Sequence, residues 1–358
     1  MKDSALSTKK RGKLRWVAVL LGALAAVAVT IASCGMYSVY KMRGVLVASG
    51  YTESWEEGVD GQTVPDAPYG DKDWNYLDVY FPRELAPEKS RSAFVYVHGG
   101  AWVGGSRGDM RAFARRMTKQ GYVAASVEYM LYKEGQTSSF YTIFAVLDEI
   151  DAALAKLKEV AAERGIELDR VALGGDSAGG HIISLYAYSR GKTAPIPVVF
   201  IAPRVAPIDN HVDAWDPVLK PGDIGKLVQA MNRSGAISAE QMKNPDEKTE
   251  ELIDACSPLA FLTAENAIPT VSAYGGKDPL VGTKHCAKLK ARFQELGAKG
   301  IDEASPDDSI LFDCVEFPHS GHMLERDPGC ALKFHALVLK YAERYLNDAS
   351  ARVSSSLP

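Results

Sequence analysis

The 358-residue chain predicts an α/β fold with a mostly parallel central sheet, helices on both of its faces and a helical insertion. Three observations predict it. Short β-rich runs alternate with segments whose apolar residues recur at helical spacing, the pattern of strands joined by crossover helices. One alternation turns on glycines: Gly174-Gly-Asp-Ser-Ala-Gly-Gly180 lies between Arg170-Val-Ala-Leu173 and His181-Ile-Ile-Ser-Leu-Tyr186. A proline-punctuated stretch, 206–262, interrupts the alternation before it resumes.

The elements follow in order. Trp74 to Phe81 alternates and is ended by Pro82, which makes an early strand. Ser92 to Val97 is a second strand, stopping at His98-Gly-Gly. A helix is expected over Met110 to Lys119 and a strand over Tyr122 to Val127. Ile143, Leu147, Ile150, Leu154 and Leu157 recur four and three apart, one buried face of a helix. Val171 to Leu173 is the strand entering the glycine turn, and Val198 to Ile201 and Thr270 to Tyr274 are the next two. Cys286, Leu289, Phe293 and Leu296 mark a helix face that Gly297 ends. Phe312 to Phe317 is the last strand, and a helix from Cys330 to Leu346 closes the domain. Within the insertion, Ser238-Ala-Glu-Gln241 has capping-box spacing and implies short helices. An insertion there reads as a lid.

The ends read differently. Lys2, Lys9, Lys10, Arg11, Lys13 and Arg15 precede an uncharged stretch of about 25 residues, Trp16 to Tyr40, enough to span a bilayer. Only Lys41 and Arg43 follow it closely, so the positive-inside rule puts the N-terminus in the cytoplasm and the rest outside. Residues 1–43 are read as this membrane or signal segment, and 44–73 as a linker lying over the domain. Residues 74–348 are read as the domain and 349–358 as a disordered tail. Ile31-Ala-Ser-Cys34 resembles a lipobox, so cleavage and lipidation at Cys34 is the alternative. A net charge of −4 with no basic cluster in the domain leaves no electrostatic footprint for nucleic acid. Cys256, Cys286, Cys314 and Cys330 permit one or two disulfides, with three pairings open, or four free thiols.

The turn at Ser177 carries G-x-S-x-G from Gly175 to Gly179. A serine held there stands exposed at a helix N-terminus, and it needs a base that is itself oriented by a carboxylate. Tyr274-Gly-Gly-Lys-Asp278 places the acid after a strand, and Pro318-His-Ser-Gly-His322 places the base after the last one. His322 is preferred to His319 because Gly321 lets the loop bring its ring inward. His181 would lie on the helix after the serine, while His211, His285 and His335 follow no strand end. Asp209 and Asp254 lie in the insertion, and Asp176 would point away from the base. Charge on a tetrahedral intermediate needs bare amides, offered by Gly99, Gly100 and Ala101 after the second strand and by Ala178 after the serine. His98, Trp102 and Asp176 would support or line this pocket. No cysteine has metal-ligand spacing with a histidine.

His98-Gly-Gly-Ala-Trp102, Gly175-Asp-Ser-Ala-Gly-Gly180, Gly276-Lys-Asp-Pro-Leu-Val281 and Gly321-His322 resemble the hormone-sensitive-lipase-like carboxylesterases of the α/β-hydrolase fold. The resemblance runs from about Trp74 to Leu346. It implies Ser177, Asp278 and His322 as triad, amides at Gly99, Gly100, Ala101 and Ala178 around the oxyanion, a small ester as substrate, and no cofactor or metal. Two departures bear on the substrate. That family reads His-Gly-Gly-Gly, whereas His98-Gly-Gly-Ala-Trp102 is also similar to kynurenine formamidases and some polysaccharide esterases. Its Tyr-Arg-Leu segment appears as Tyr129-Met-Leu131. Amide or formamide hydrolysis, peptide hydrolysis, and a non-catalytic membrane-anchored binding protein are therefore the rival readings.

Overall fold

The structure, a computed structural model, describes residues 52–133 and 141–347. The predicted basic and apolar segment 1–43 with Cys34, the start of the 44–73 linker, and the tail 349–358 lie outside the described residues. Eight strands form one sheet: β1 (Gly61–Pro68), β2 (Tyr76–Pro82), β3 (Ser92–Val97), β4 (Val123–Val127), β5 (Arg170–Asp176), β6 (Val198–Arg204), β7 (Thr270–Gly275) and β8 (Phe312–Phe317). Their spatial order is β1-β2-β4-β3-β5-β6-β7-β8. β1 and β2 run antiparallel, and every pairing from β4 through β8 is parallel.

The crossover helices are α1 (Arg111–Lys119), α2 (Ile143–Ala162) and α3 (Ala178–Arg190). The insertion holds α4 (Val212–Trp215), α5 (Pro221–Asn232), α6 (Ala239–Lys243), α7 (Glu247–Ala255) and α8 (Pro258–Phe261), and α9 (Thr283–Glu295) and α10 (Pro328–Tyr345) complete the chain. Strand alternation separates two cores. Val95 and Val97 of β3 pack with Ile150, Leu154, Ile182 and Phe293, while Phe94 and Tyr96 pack with Met117, Phe200 and Tyr341. Helices therefore cover both faces, as the sequence predicts. Each such buried apolar side chain contributes roughly 1.5–3 kcal/mol.

One expectation is corrected. The linker reading of 44–73 misses β1, an edge strand of the central sheet. Pro65 and Pro68 interrupt any alternation, the register shifts between Val64 and Ala67, and Asp66 takes φ 52°. Only an edge strand tolerates such features, and they erase the signal by which strands are recognised. The predicted capping box does form: Gln241 N donates to Ser238 Oγ at 3.2 Å, and Ser238 N donates to Gln241 Oε1 at 3.1 Å.

The insertion is clasped to the body by a charged cluster. His211 contacts Asp209 Oδ1 at 2.6 Å and Glu250 Oε1 at 3.0 Å, with Asp254 at 4.0 Å, and Lys288 of α9 donates to Asp209 Oδ2 at 2.6 Å. The bond to Asp209 raises the His211 imidazole to about 9, against the opposing effect of burial. Burial works against the Asp209 carboxylate, yet the bonds from His211 and Lys288 hold it far below the carboxylate range. The folded-state pKa of His211 lies above its unfolded value. Its stabilisation is therefore fully present below about pH 6.5 and is lost as pH rises through about 9. Thermal unfolding of wild type should weaken between those limits, by on the order of 2 kcal/mol, and the slope should flatten in His211→Gln. Equal slopes in the two proteins would show that His211 does not tie the parts of the insertion together.

Candidate active site

The parallel strands end their carboxyl edges together, and the predicted site residues all leave from that edge. β5 stops at Asp176, and Ser177 takes φ 54° and ψ −119°, a conformation that non-glycine residues rarely adopt. Its backbone N–H donates to Arg204 O of the adjacent β6 at 2.9 Å, and its carbonyl receives His181 N at 2.9 Å as α3 begins. Ser177 is half-buried between buried Asp176 and Ala178. Gly179 is required here, since a Cβ on it would lie 2.1 Å from Val97 O. That close approach brings the loop after β3 against the head of α3.

This loop is wound in an unusual way. Gly100, Ala101 and Trp102 take φ values of 114°, 52° and 62° in succession. Gly100 O accepts from Val103 N and Gly104 N, at 3.1 and 3.0 Å. The loop lies beside the serine: a Cβ on Gly99 would stand 3.3 Å from Ser177 Cβ. His98, fully buried, braces the loop from below. Nδ1 meets Gly99 O at 2.7 Å, Nε2 meets Glu128 Oε1 at 3.0 Å, and the ring stacks on Tyr129 at 4.2 Å. Tyr129 Oη donates to His98 O at 2.9 Å, and Arg107 N donates to Glu128 Oε2 at 3.1 Å.

Across the sheet, the loops after β7 and β8 are joined. Lys277 N donates to Ser320 O at 2.9 Å and Gly276 N to Phe317 O at 2.9 Å. His322 Nδ1 lies 2.8 Å from Oδ2 of Asp278, whose side chain is fully buried. The other carboxylate oxygen accepts from Leu280 N at 2.8 Å and Val281 N at 3.0 Å, which fixes the plane of the group. His319 is instead exposed and tied to Asp327 at 2.8 Å. The structure thus joins His322 with Asp278, and Ser177 with the Gly99 loop. Among the described residues, neither Oγ of Ser177 nor Nε2 of His322 has a direct protein hydrogen bond.

Other predicted residues fall behind this front. Asp176 is buried and paired with Arg204 at 3.5 Å, and Arg204 lies over the Phe113 ring at 4.7 Å. Trp102 is buried edge-on against His181, with ring centroids 5.2 Å apart. His181 donates Nε2–H to Cys256 O of the insertion at 2.8 Å, and burial lowers its pKa to about 4, so the ring is neutral. His285 is also buried and lowered to about 4. His211, Glu250 and Asp254 bring one potential ligand atom each within 4.8 Å of the others. Both nitrogens of His211 already meet carboxylates, which accounts for the cluster without an ion. Sequence reasoning missed Glu128, Tyr129, Arg107 and the Cys256 carbonyl. Only Tyr129 had left a signal, in the segment Tyr129-Met-Leu131.

A mostly parallel eight-stranded sheet in this order, with a serine at a left-handed strand-to-helix turn, defines an α/β-hydrolase. The family model described as BD-FAE matches residues 77–293, more than half of the chain, and the protein belongs to that family. Esterase LipQ of Mycobacterium tuberculosis is 26% identical over 247 residues, covering 67% of this chain and 54% of LipQ. The carboxylic ester hydrolase LipM of the same organism, described as probable, is 26% identical over 253 residues, covering 69% of this chain and 56% of LipM. The chain thus spans about half the length of these relatives. Esterase B of Lactobacillus rhamnosis superposes with a TM-score of 0.57 at 16% identity, over 87% of this chain and 96% of that one, a likeness of fold.

Proposed function

We propose that the protein is a serine carboxylesterase acting on short- to medium-chain acyl esters, with Ser177 as nucleophile, His322 as base and Asp278 as acid. The observation that carries it is the 2.8 Å contact of His322 Nδ1 with a buried carboxylate whose other oxygen is held by two amides. Such a carboxylate keeps the proton on Nδ1, leaves Nε2 free to accept, and stabilises the imidazolium once it forms. Ser177 Oγ attacks the acyl carbon as its proton passes to His322 Nε2. The oxyanion accepts from the amides of Ala178 and of Gly99, Gly100 and Ala101, each such donor being worth on the order of 10²–10³ in turnover. Collapse expels the alcohol, which takes the proton from His322, and water releases the acid in a mirror sequence. His98 and Trp102 hold the amide loop in place.

Support comes from the family, from the names of LipQ and LipM, and from the amide loop lying against the serine. Hydrolysis of chromogenic esters of graded chain length, with matched amides alongside, tests the reading. Turnover of esters well above amides is expected. The reverse order would favour the formamide or amide reading that His98-Gly-Gly-Ala-Trp102 also fits. Failure of a fluorophosphonate to label Ser177 would favour a non-catalytic binding protein. For the N-terminal segment we propose a membrane anchor with the domain outside the cytoplasm, the alternative being lipidation at Cys34. Protease digestion of intact cells tests it, and a domain protected there would reject the topology.

A further inference from the structure

We propose that Cys286 and Cys314 are a disulfide-forming pair, whose bridge would tie the segment after the Asp278 loop to the strand before the His322 loop. Cys286 lies on the first turn of α9, and Cys314 lies within β8. The inference is independent of the catalytic reading.

Four free cysteines leave three pairings open in the sequence, and the packing selects one. The Sγ atoms of Cys286 and Cys314 stand 3.3 Å apart as thiols, so roughly 1 Å of approach separates them from the ~2.05 Å bond. Cys256 is buried in the insertion, its Sγ directed to the Leu252 and Ile253 carbonyls at 3.4 Å. Cys330 belongs with the opposite core, beyond the sheet from Cys286. The two sulfurs of the pair also differ in accessibility. Cys314 is half-exposed, and the bond from Cys286, helped by the charge of Lys290, lowers its thiol below the ordinary range. Cys286 is buried, and the same shared proton together with burial raises its thiol. Cys314, the more accessible of the two, is the sulfur a soluble disulfide reaches first, and buried Cys286 is the resolving one.

The oxidant is a small disulfide such as oxidised glutathione. The Cys314 thiolate attacks one sulfur, forms a mixed disulfide and expels one glutathione thiolate. Cys286 then loses its proton to solvent, its sulfur attacks Cys314, and the second glutathione leaves. Two protein thiols are oxidised and one glutathione disulfide is reduced to two thiols.

The full chain, equilibrated with oxidised glutathione and alkylated, should yield a cross-linked peptide pair containing Cys286 and Cys314. Its mass should be lower by two hydrogens than that of the separate peptides. In Cys286→Ser, glutathione should remain on Cys314. The residues lie 28 positions apart, so closure should raise the thermal midpoint by on the order of 5 °C, a gain abolished by dithiothreitol and absent from the variant. Recovery of both residues alkylated after oxidation, or a bridge from either to Cys256 or Cys330, would overturn the assignment. The peptide map on wild type decides even where the variant fails to fold.

Discussion

Ser177→Ala should lower turnover of any accepted ester by on the order of 10⁵-fold or more, with little change in KM. On the proposed mechanism the oxygen that forms the covalent intermediate would be gone while the loop amides remain, and removal of such a nucleophile typically costs that much. The backbone adds a second expectation. Ser177 is held at φ 54° by the N–H it donates to Arg204 O and the carbonyl bond to His181, neither of which involves the side chain. Ser177→Gly should therefore be as inactive as the alanine variant yet more stable, by roughly 1 kcal/mol, because glycine adopts this conformation without strain. A Ser177→Ala protein retaining roughly a tenth of wild-type turnover would remove the serine from the reaction.

Asp278→Asn should cost on the order of 10⁴ in kcat, while the fold and KM change little. The asparagine carbonyl can still accept from Leu280 N and Val281 N, so the loop keeps its shape. Its amide nitrogen then faces His322 Nδ1, where the carboxylate stood at 2.8 Å. An amide donates, so Nδ1 must become the acceptor and the ring proton moves to Nε2. A nitrogen that already carries a proton cannot take one from Ser177. Because the effect is one of tautomer, circular dichroism and the thermal midpoint should match wild type closely. A loss of less than roughly tenfold would mean that another carboxylate orients the base, or that His322 is not the base.

Much of this site was legible in the chain. Ser177 is marked by a glycine-rich turn between a strand and a helix, and His322 is set apart from His319 by a single preceding glycine. Such features are local, because turn geometry is imposed by neighbours a few residues away. The edge strand β1 was illegible for a local reason too: its prolines and register shift remove the alternation on which recognition depends. The braces failed for another reason. His98 and Glu128 are 30 residues apart and meet only because β3 and β4 pair in parallel, with Val97 opposite Val127. His181 and Cys256 are 75 apart and meet only where the insertion folds back on α3.

The amino-acid order by itself determined the α/β class, the order of the seven strands after β1 and the loops that carry a hydroxyl, an imidazole, a carboxylate and the glycine-rich turn after β3. Hydrophobic period and glycine placement act over a turn or two of chain, and they can be read without coordinates. Tertiary structure alone decided which further side chains face one another: His98 with Glu128, and Cys286 with Cys314. Contacts between distant segments depend on strand order and on which face each helix covers, and those follow from burying the whole sheet at once.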